Sequence, residues 1–273
     1  MSRIAIALCL ALIIGSVATA LAAEKVTVAG STTVLPLAEA EAEAYNGGQT
    51  DCQITVTGGG TGAGITAAGE GRADIAMASR EVKSSERSKY NKNNFQQFFI
   101  GYDGIVIAVS KPIYEAGVKS ISKEQLKNIY AGKIKNWKEL GGPDSDIYVI
   151  AREEGSGTRD TFNELVMGST TAETPGVSTT AMGSAEVKTA ITGSDKAIGY
   201  LGFSYAESGD LGPLKYEGIQ PDPRNIKSGS YPLARHLYFY TFGQPTACAQ
   251  KFIDFVISAE GQKIAEENGF IPL

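Results

Sequence analysis

Short runs of apolar residues recur along the chain and alternate with segments of helical periodicity. The runs predict strands at residues 26–29, 54–57, 73–78, 105–109, 147–151, 196–202 and 237–240. Helical patterns follow several of them, and the segment 246–267 has its large apolar side chains on one side. Strands that lead through short glycine turns into helices are typical of parallel sheets. The pattern therefore predicts an α/β protein.

Three of the strand-to-helix turns share a glycine-rich sequence that carries hydroxyl groups. They lie at residues 30–33, 58–64 and 155–158, and their candidate donors are Ser31, Thr32, Thr33, Thr61, Ser156, Gly157 and Thr158. The first N–H groups of a helix have no partner inside the helix, and the peptide dipoles place about half a positive charge there. We therefore expect at least two of these turns to converge on one anion.

Two arginines stand beside these turns. Arg152 directly precedes the third turn and offers a rigid fork of donors that suits an oxyanion. Ser79 and Arg80 end the third predicted strand, and ligands of parallel sheets sit beyond the carboxyl ends of strands. The alternative is that Arg80 is a surface arginine that pairs with Glu81 or Glu86. Position alone does not decide between the two.

The overall charge excludes some classes of partner. The chain has 273 residues, a net charge of −5 and an isoelectric point near 5.1, so no basic field points to nucleic acid. An acidic protein that binds an anion must do so with local donors. The single histidine and the lack of a Cys-x-x-Cys motif predict no metal site, and we expect no cofactor.

The first residues have the pattern of an export signal. Residues 4–23 carry no charge and end in Ala20-Leu21-Ala22, so we expect residues 1–22 to be a signal peptide. An uncleaved membrane anchor is the alternative. In either case the rest of the chain is expected in the periplasm or on the outer face of the cytoplasmic membrane. Export permits a disulfide between Cys52 and Cys248, but their spacing does not show that they meet.

An enzyme is the first competing interpretation. Ser156 lies at a strand-to-helix turn, as a hydrolase nucleophile does, but Glu154 and Thr158 break the Gly-x-Ser-x-Gly pattern. His236 precedes an apolar strand, where a structural role is the simpler reading. The sequence therefore predicts a binding protein and no enzyme.

Several of these segments together resemble a known family. Residues 29–34, 58–64, 77–80, 103–105 and 121–140 precede the Arg-x-x-Gly-Ser-Gly-Thr run that begins at Arg152. In this order and spacing they resemble the phosphate-binding proteins that feed phosphate ABC transporters, the PstS family. The resemblance covers nearly all of the chain after residue 22, and the run at Arg152 is its most specific part.

The resemblance implies a fold, a ligand and a partner. The fold would be the two-lobed type II periplasmic-binding-protein fold, with mixed sheets flanked by helices and two crossover strands. One lobe would comprise residues 23–104 and 231–273, and the other residues 105–230. A monomer would hold inorganic phosphate in the cleft and dock on a membrane permease of an ABC transporter. The donors implied by position are Thr32, Thr33 and Thr61 from one lobe and Arg152, Ser156, Gly157 and Thr158 from the other.

A carboxylate in such a site would explain a preference for phosphate. Hydrogen phosphate carries a proton that a carboxylate accepts, whereas sulfate would face it with lone pairs only. Longer members of the family have an aspartate where this chain has Arg80, so the acceptor must lie elsewhere. We expect it to be Asp103, at the mouth of the strand 105–109, with Glu154 either pairing with Arg152 or acting as the acceptor. The alternative ligand is another tetrahedral oxyanion, such as sulfate, molybdate or tungstate.

Overall fold

The computed structural model describes residues 23–90, 95–207 and 209–273. The strands are β1 (Glu24–Gly30), β2 (Cys52–Gly58), β3 (Ile75–Ala78), β4 (Phe95–Ser110), β5 (Ser120–Ile121), β6 (Tyr148–Arg152), β7 (Thr179–Ala181), β8 (Ala197–Gly202), β9 (Leu211–Pro213), β10 (Lys215–Tyr216) and β11 (Ala234–Phe242). The helices are α1 (Leu35–Gly48), α2 (Thr61–Gly69), α3 (Ser84–Tyr90), α4 (Lys111–Glu115), α5 (Lys123–Tyr130), α6 (Gly157–Phe162), α7 (Ser184–Thr192), α8 (Phe203–Ala206), α9 (Pro223–Lys227), α10 (Ala247–Ile257) and α11 (Ala259–Glu267). A 3₁₀ turn spans Trp137–Leu140, and a π-helical turn, Asn163–Met167, continues α6. The predicted signal peptide lies outside the described residues.

One mixed sheet runs through the whole molecule in the order β2-β1-β3-β11-β4-β8-β6-β7, and β9 adds to β4. At one end β2, β1 and β3 are parallel, and at the other end β8, β6 and β7 are parallel. Between them β11 and β4 are antiparallel to each other and to their outer neighbours. Strands β4 and β11 therefore connect two parallel halves.

Strand β4 is longer than the sequence indicated. The sequence pattern predicted a strand at 105–109 with Asp103 at its mouth, but the structure has one strand from Phe95 to Ser110. Residues up to Gly104 pair with β11, and those from Ile105 onward pair with β8. A Cβ on Gly104 would lie 2.6 Å from the side chain of Ile226. The glycine is thus explained by close packing and not by a turn.

The apolar core is divided in the same way as the sheet. One cluster is built almost entirely from residues 105–233 and includes Trp137 and Phe162. The others join β1, β2 and β3 with α1, α2, α10 and β11. Phe270 belongs to the core around α10, whereas its neighbour Ile271 packs in the 105–233 cluster. Each half therefore buries its own apolar side chains.

The predicted final helix, 246–267, is two helices. Ser258 ends α10, and its Oγ accepts the N–H of Gly261 at 3.3 Å, which begins α11. Cys248 in α10 is joined to Cys52 in β2 by a disulfide, with 5.7 Å between the Cα atoms. None of the helices in the described part of the chain has the length and hydrophobicity needed to cross a bilayer.

Candidate functional site

Each of the three glycine turns leads directly into a helix. In the first, Oγ of Ser31 accepts the N–H groups of Thr33 and Val34 at 3.2 and 3.4 Å. In the third, Oγ of Ser156 accepts the N–H of Arg159 at 3.2 Å. Ser156 is the N-cap of α6, whereas Ser31 accepts the N–H groups of the turn that precedes α1. Their own hydroxyl protons stay available to a ligand.

The first and third turns approach each other across the two halves. Oγ1 of Thr33 lies 2.9 Å from Oγ1 of Thr158, and both side chains are buried. The second turn joins them, since the N–H of Gly62 donates to the carbonyl oxygen of Gly155 at 2.9 Å. All three predicted turns therefore meet at one place in the structure.

Gly157 is enclosed by hydroxyl groups from the other half. A Cβ at this position would contact Oγ1 of Thr61 and lie 2.6 Å from Oγ of Ser79. These two hydroxyls are 3.4 Å apart, and the N–H of Ser79 donates to Oγ1 of Thr61 at 3.2 Å. Only glycine lets the start of α6 come this close to them. The backbone N–H groups at this helix start therefore lie beside the two hydroxyl groups.

Arg152 is buried at the centre of the site. Its Nη1 donates to Oγ of Ser184 at 3.0 Å, and its Nη2 donates to Oγ1 of Thr32 at 2.9 Å. Nε and Nη2 also donate to the two carboxylate oxygens of Glu153, each at 2.7 Å. The expectation that Glu154 pairs with Arg152 is wrong, because Glu154 is exposed and its neighbour takes that role.

Asp103 and Arg235 form a second buried ion pair. Nε and Nη2 of Arg235 donate to Oδ2 of Asp103 at 2.8 and 2.6 Å, and Oδ1 accepts the N–H of Phe203 at 2.9 Å. Arg235 also donates to the carbonyl oxygen of Ser79 at 3.1 Å and to Oγ1 of Thr158 at 3.0 Å. Burial lowers the pKa of Arg235, and the charge of Asp103 opposes that shift.

Arg80 lies close to the site, with most of its donors directed elsewhere. Nε donates to Asp160 at 2.8 Å, and Nη1 and Nη2 donate to the two carboxylate oxygens of Glu86, also at 2.8 Å. Nη1 donates in addition to the carbonyl oxygen of Glu81. Burial lowers the pKa of Arg80, but Glu86 and Asp160 outweigh it, so the net shift is upward. The pairing with Glu86 agrees with the alternative given from the sequence, but Arg80 is buried and is not a surface arginine.

Sequence reasoning missed Arg235 and Ser184. Arg235 was just outside the apolar run at 237–240, and only its pairing opposite Asp103 in β4 shows its place. Ser184 begins α7, and a serine before a helical pattern is an ordinary cap signal. The described residues contain no group of three or more histidine, cysteine, aspartate or glutamate side chains arranged to hold a metal.

Comparison with known proteins points to one family. A family model described as a PBP superfamily domain matches residues 15–260. The phosphate-binding protein PstS of Bacillus subtilis is 36% identical over 253 residues, which cover 92% of this chain and 82% of the relative. This chain belongs to the PstS family. The PstS proteins of Staphylococcus epidermidis are 31% identical over 256 residues, 89% of this chain and 77% of theirs.

Solved structures of PstS-like proteins have the same fold. A phosphate ABC transporter substrate-binding protein from Clostridium perfringens, solved with bound phosphate, superposes with a TM-score of 0.84 at 37% identity and covers 92% of this chain and all of that one. An ABC-type phosphate transport receptor from Vibrio cholerae gives 0.73 at 31% identity over 91% of this chain and all of that one. The expected type II periplasmic-binding-protein fold, with a mixed sheet flanked by helices, is confirmed.

Proposed function

We propose that this chain is an extracytoplasmic solute-binding protein that captures inorganic phosphate between two lobes and delivers it to the permease of an ABC transporter. The observation that carries the proposal is the convergence of donors from both halves of the sheet around Thr33 and Thr158. Helix starts, hydroxyl groups and the Arg152 guanidinium meet there with little access to water, which suits a dehydrated oxyanion. The names of the PstS relatives and the phosphate bound to the C. perfringens protein support phosphate over other tetrahedral oxyanions.

The site we propose combines residues expected from the sequence with Ser184, which the structure adds. Arg152 and the hydroxyls of Thr32, Thr33, Thr61, Ser79 and Thr158 would hold the anion directly. Gly157 would offer its N–H, and Ser31, Ser156 and Arg80 would contribute from the edges. Ser184 joins them because it accepts from Arg152 and lies 3.4 Å from Oγ1 of Thr33.

The charges of the buried side chains largely cancel. Arg152 is paired with Glu153, and Arg235 is paired with Asp103. A dianion would therefore be held mainly by hydrogen bonds and by the peptide dipoles of three helix starts, and less by net positive charge. This arrangement is how a protein with a net charge of −5 can bind an anion.

We propose that binding closes the two lobes. One lobe would comprise residues 23–104 with 231–273, and the other residues 105–230, joined by β4 and β11. Contacts such as that between Gly62 and Gly155 belong to the closed arrangement. A ligand that touches both lobes binds the closed state more tightly and so shifts the population toward it. The closed form would be the one that docks on the permease, as a monomer.

The proton acceptor that distinguishes phosphate from sulfate is proposed to be Asp103. Its Oδ1 has one protein donor and its Oδ2 has two, so one of about four acceptor positions is left for the ligand. Glu153 replaces Glu154 as the competing candidate, because it is buried and a Cβ on Gly60 would lie 3.6 Å from its Oε1.

Calorimetric titration of residues 23–273, stripped of ligand, with phosphate, sulfate and molybdate would test the proposal. We expect one phosphate per chain and no heat with sulfate. Asp103→Asn should then gain sulfate binding, whereas Glu153→Gln should not, with the exposed Glu154→Gln as the matched control. A preference for sulfate or molybdate would overturn the ligand assignment. No heat with any oxyanion would overturn the binding site itself.

Export to the periplasm or to the outer face of the membrane is part of the same proposal. It is supported by the signal-like residues 1–22 and by the disulfide between Cys52 and Cys248, a bond that persists in oxidising compartments. A function without catalysis is supported by the relatives, which are named as binding proteins.

A further inference from the structure

The ion pair between Asp103 and Arg235 lies where the two connecting strands run side by side. The two residues are direct cross-strand partners in β4 and β11. Asp103 is 2% exposed and Arg235 is 9% exposed. A buried charge that loses its partner is strongly disfavoured, so each member of such a pair keeps the other ionised.

Whether Asp103 is ionised decides which ligands can hydrogen-bond to the one acceptor position left on its carboxylate. An ionised carboxylate only accepts hydrogen bonds, so the position left on Oδ1 suits an oxyanion that carries a proton. A neutral carboxyl group would instead offer a proton of its own. It could then donate to the unprotonated oxygen of sulfate, and the discrimination would be lost.

We propose that Arg235 is a specificity-determining positioning residue, which holds Asp103 as an ionised acceptor and thereby restricts the site to protonated oxyanions. The proposal rests on the phosphate-binding function proposed above for the same site. Without Arg235, the carboxyl group of Asp103 is left buried without the cation that contacts it, which disfavours its charged form. Sulfate should then bind, and the effect should depend on pH.

The groups that face Asp103 do not offer another explanation for such a pH dependence. Arg235 approaches from β11 and the N–H of Phe203 from the start of α8. Two phenols are near enough to feel its charge. Burial chiefly raises the pKa of Tyr205 to about 12, and burial raises that of Tyr231 further, with Asp103 adding to both shifts. Both phenols therefore stay neutral between about pH 6 and pH 8.

Two further charged side chains lie near the ion pair of Asp103 and Arg235. Arg152 faces Arg235 from β6 and contributes to the lowering of the pKa of Arg235. Glu153 pairs with Arg152 at 2.7 Å. Removing Arg235 takes away the cation that contacts Asp103 and leaves the other pair intact.

Arg235 also orients hydroxyl groups. Its Nη2 donates to Oγ1 of Thr158 at 3.0 Å and lies 3.5 Å from Oγ1 of Thr33. A hydroxyl that accepts from a guanidinium turns its own proton away from it, toward a bound anion. Loss of Arg235 should therefore weaken phosphate binding as well, on the order of tenfold or more.

The test is titration of four proteins with phosphate and with sulfate at about pH 6 and about pH 8: wild type, Arg235→Met, Arg235→Lys, and Arg235→Met combined with Asp103→Asn. Arg224→Met, on the exposed face of α9, is the matched control. We expect Arg235→Met to bind sulfate at the lower pH and to lose most of that affinity at the higher pH. Arg235→Lys should keep the rejection of sulfate, because it keeps the charge. The double variant should bind sulfate equally at both pH values, because an amide donates regardless of pH.

The outcomes separate the two proposals. A wild-type protein that binds no oxyanion would overturn the proposed function and this inference with it. A wild-type protein that binds phosphate, together with an Arg235→Met variant that rejects sulfate at both pH values, would overturn only the role of Arg235. If circular dichroism shows that Arg235→Met does not fold, Arg235→Gln, which also removes the charge, carries the test. Its binding of sulfate at the lower pH supports the inference, and its rejection of sulfate at both pH values contradicts it.

Discussion

Glu41 offers a sharp test of the packing of the first half. It lies on α1 beside Leu37, Ala38 and Ala42, and its exposed fraction is 0%. Neither carboxyl oxygen has a hydrogen-bond partner among the described residues. Burial raises the pKa of Glu41 from 4.5 to about 9. The side chain is therefore a neutral carboxylic acid at neutral pH, inside an apolar core.

A raised pKa makes the stability of the protein depend on pH. Below 4.5 the folded and unfolded states both hold the proton, and Glu41 adds no ionisation cost. As the pH rises from 4.5 toward 9, only the unfolded chain releases it, so unfolding becomes easier by about 1.4 kcal/mol per pH unit. At pH 7 the accumulated cost is on the order of 3 kcal/mol. Glu41→Gln cannot ionise and should escape this loss.

Chemical denaturation followed by circular dichroism between about pH 5 and pH 8, on protein free of ligand, would measure this loss of stability with rising pH. The unfolding free energy of Glu41→Gln minus that of the wild type should increase steadily with pH, by about 1.4 kcal/mol per unit. Glu39→Gln and Glu43→Gln, exposed on the same helix, are matched controls and should show no such slope. A difference that stays constant across this range would refute the reasoning, whatever its size at one pH.

Three further predictions concern the site and the disulfide. Arg152→Ala should weaken phosphate binding by about 2–5 kcal/mol, measured by calorimetry, because Glu153 is left buried without its cation. Gly157→Ala should reduce phosphate affinity far more than Gly47→Ala, because its methyl group would collide with two hydroxyls of the other half, whereas the space at residue 47 is open. Replacing Cys52 and the cysteine it pairs with by serine should lower the unfolding free energy by about 2–5 kcal/mol, and an unchanged denaturation midpoint would contradict the pairing.

The local parts of the site were predictable because they depend on short stretches of sequence. An apolar run, a glycine turn and a helical pattern specify where a helix starts and which hydroxyls stand at its first turn. Thr32, Thr61 and Thr158 were placed in this way, and the structure brings their turns together. The place of Arg152 in the site was predicted in the same way, because it ends the strand that leads into the third turn.

The long-range parts were not predictable because they depend on the register of distant strands. Asp103 and Arg235 are 132 positions apart, and only the antiparallel pairing of β4 with β11 makes them partners. The difference between Glu153 and Glu154 is a single position: Glu153 directly follows β6 and is buried, whereas Glu154 lies in the turn and is exposed. The partner of Cys52 depends likewise on how α10 packs against β2, which spacing along the chain does not reveal.

The disulfide also gives the chain an unusual covalent topology. Cys52 and Cys248 are 196 positions apart, and the segment between them contains every described core residue of the second half except Ile271. In covalent terms the protein is a closed ring with two tails. A protease that cuts once in an exposed loop of the second half would open the ring but release no fragment. The two pieces would migrate as one chain on a gel until a reductant is added, so partial proteolysis could pass unnoticed under non-reducing conditions.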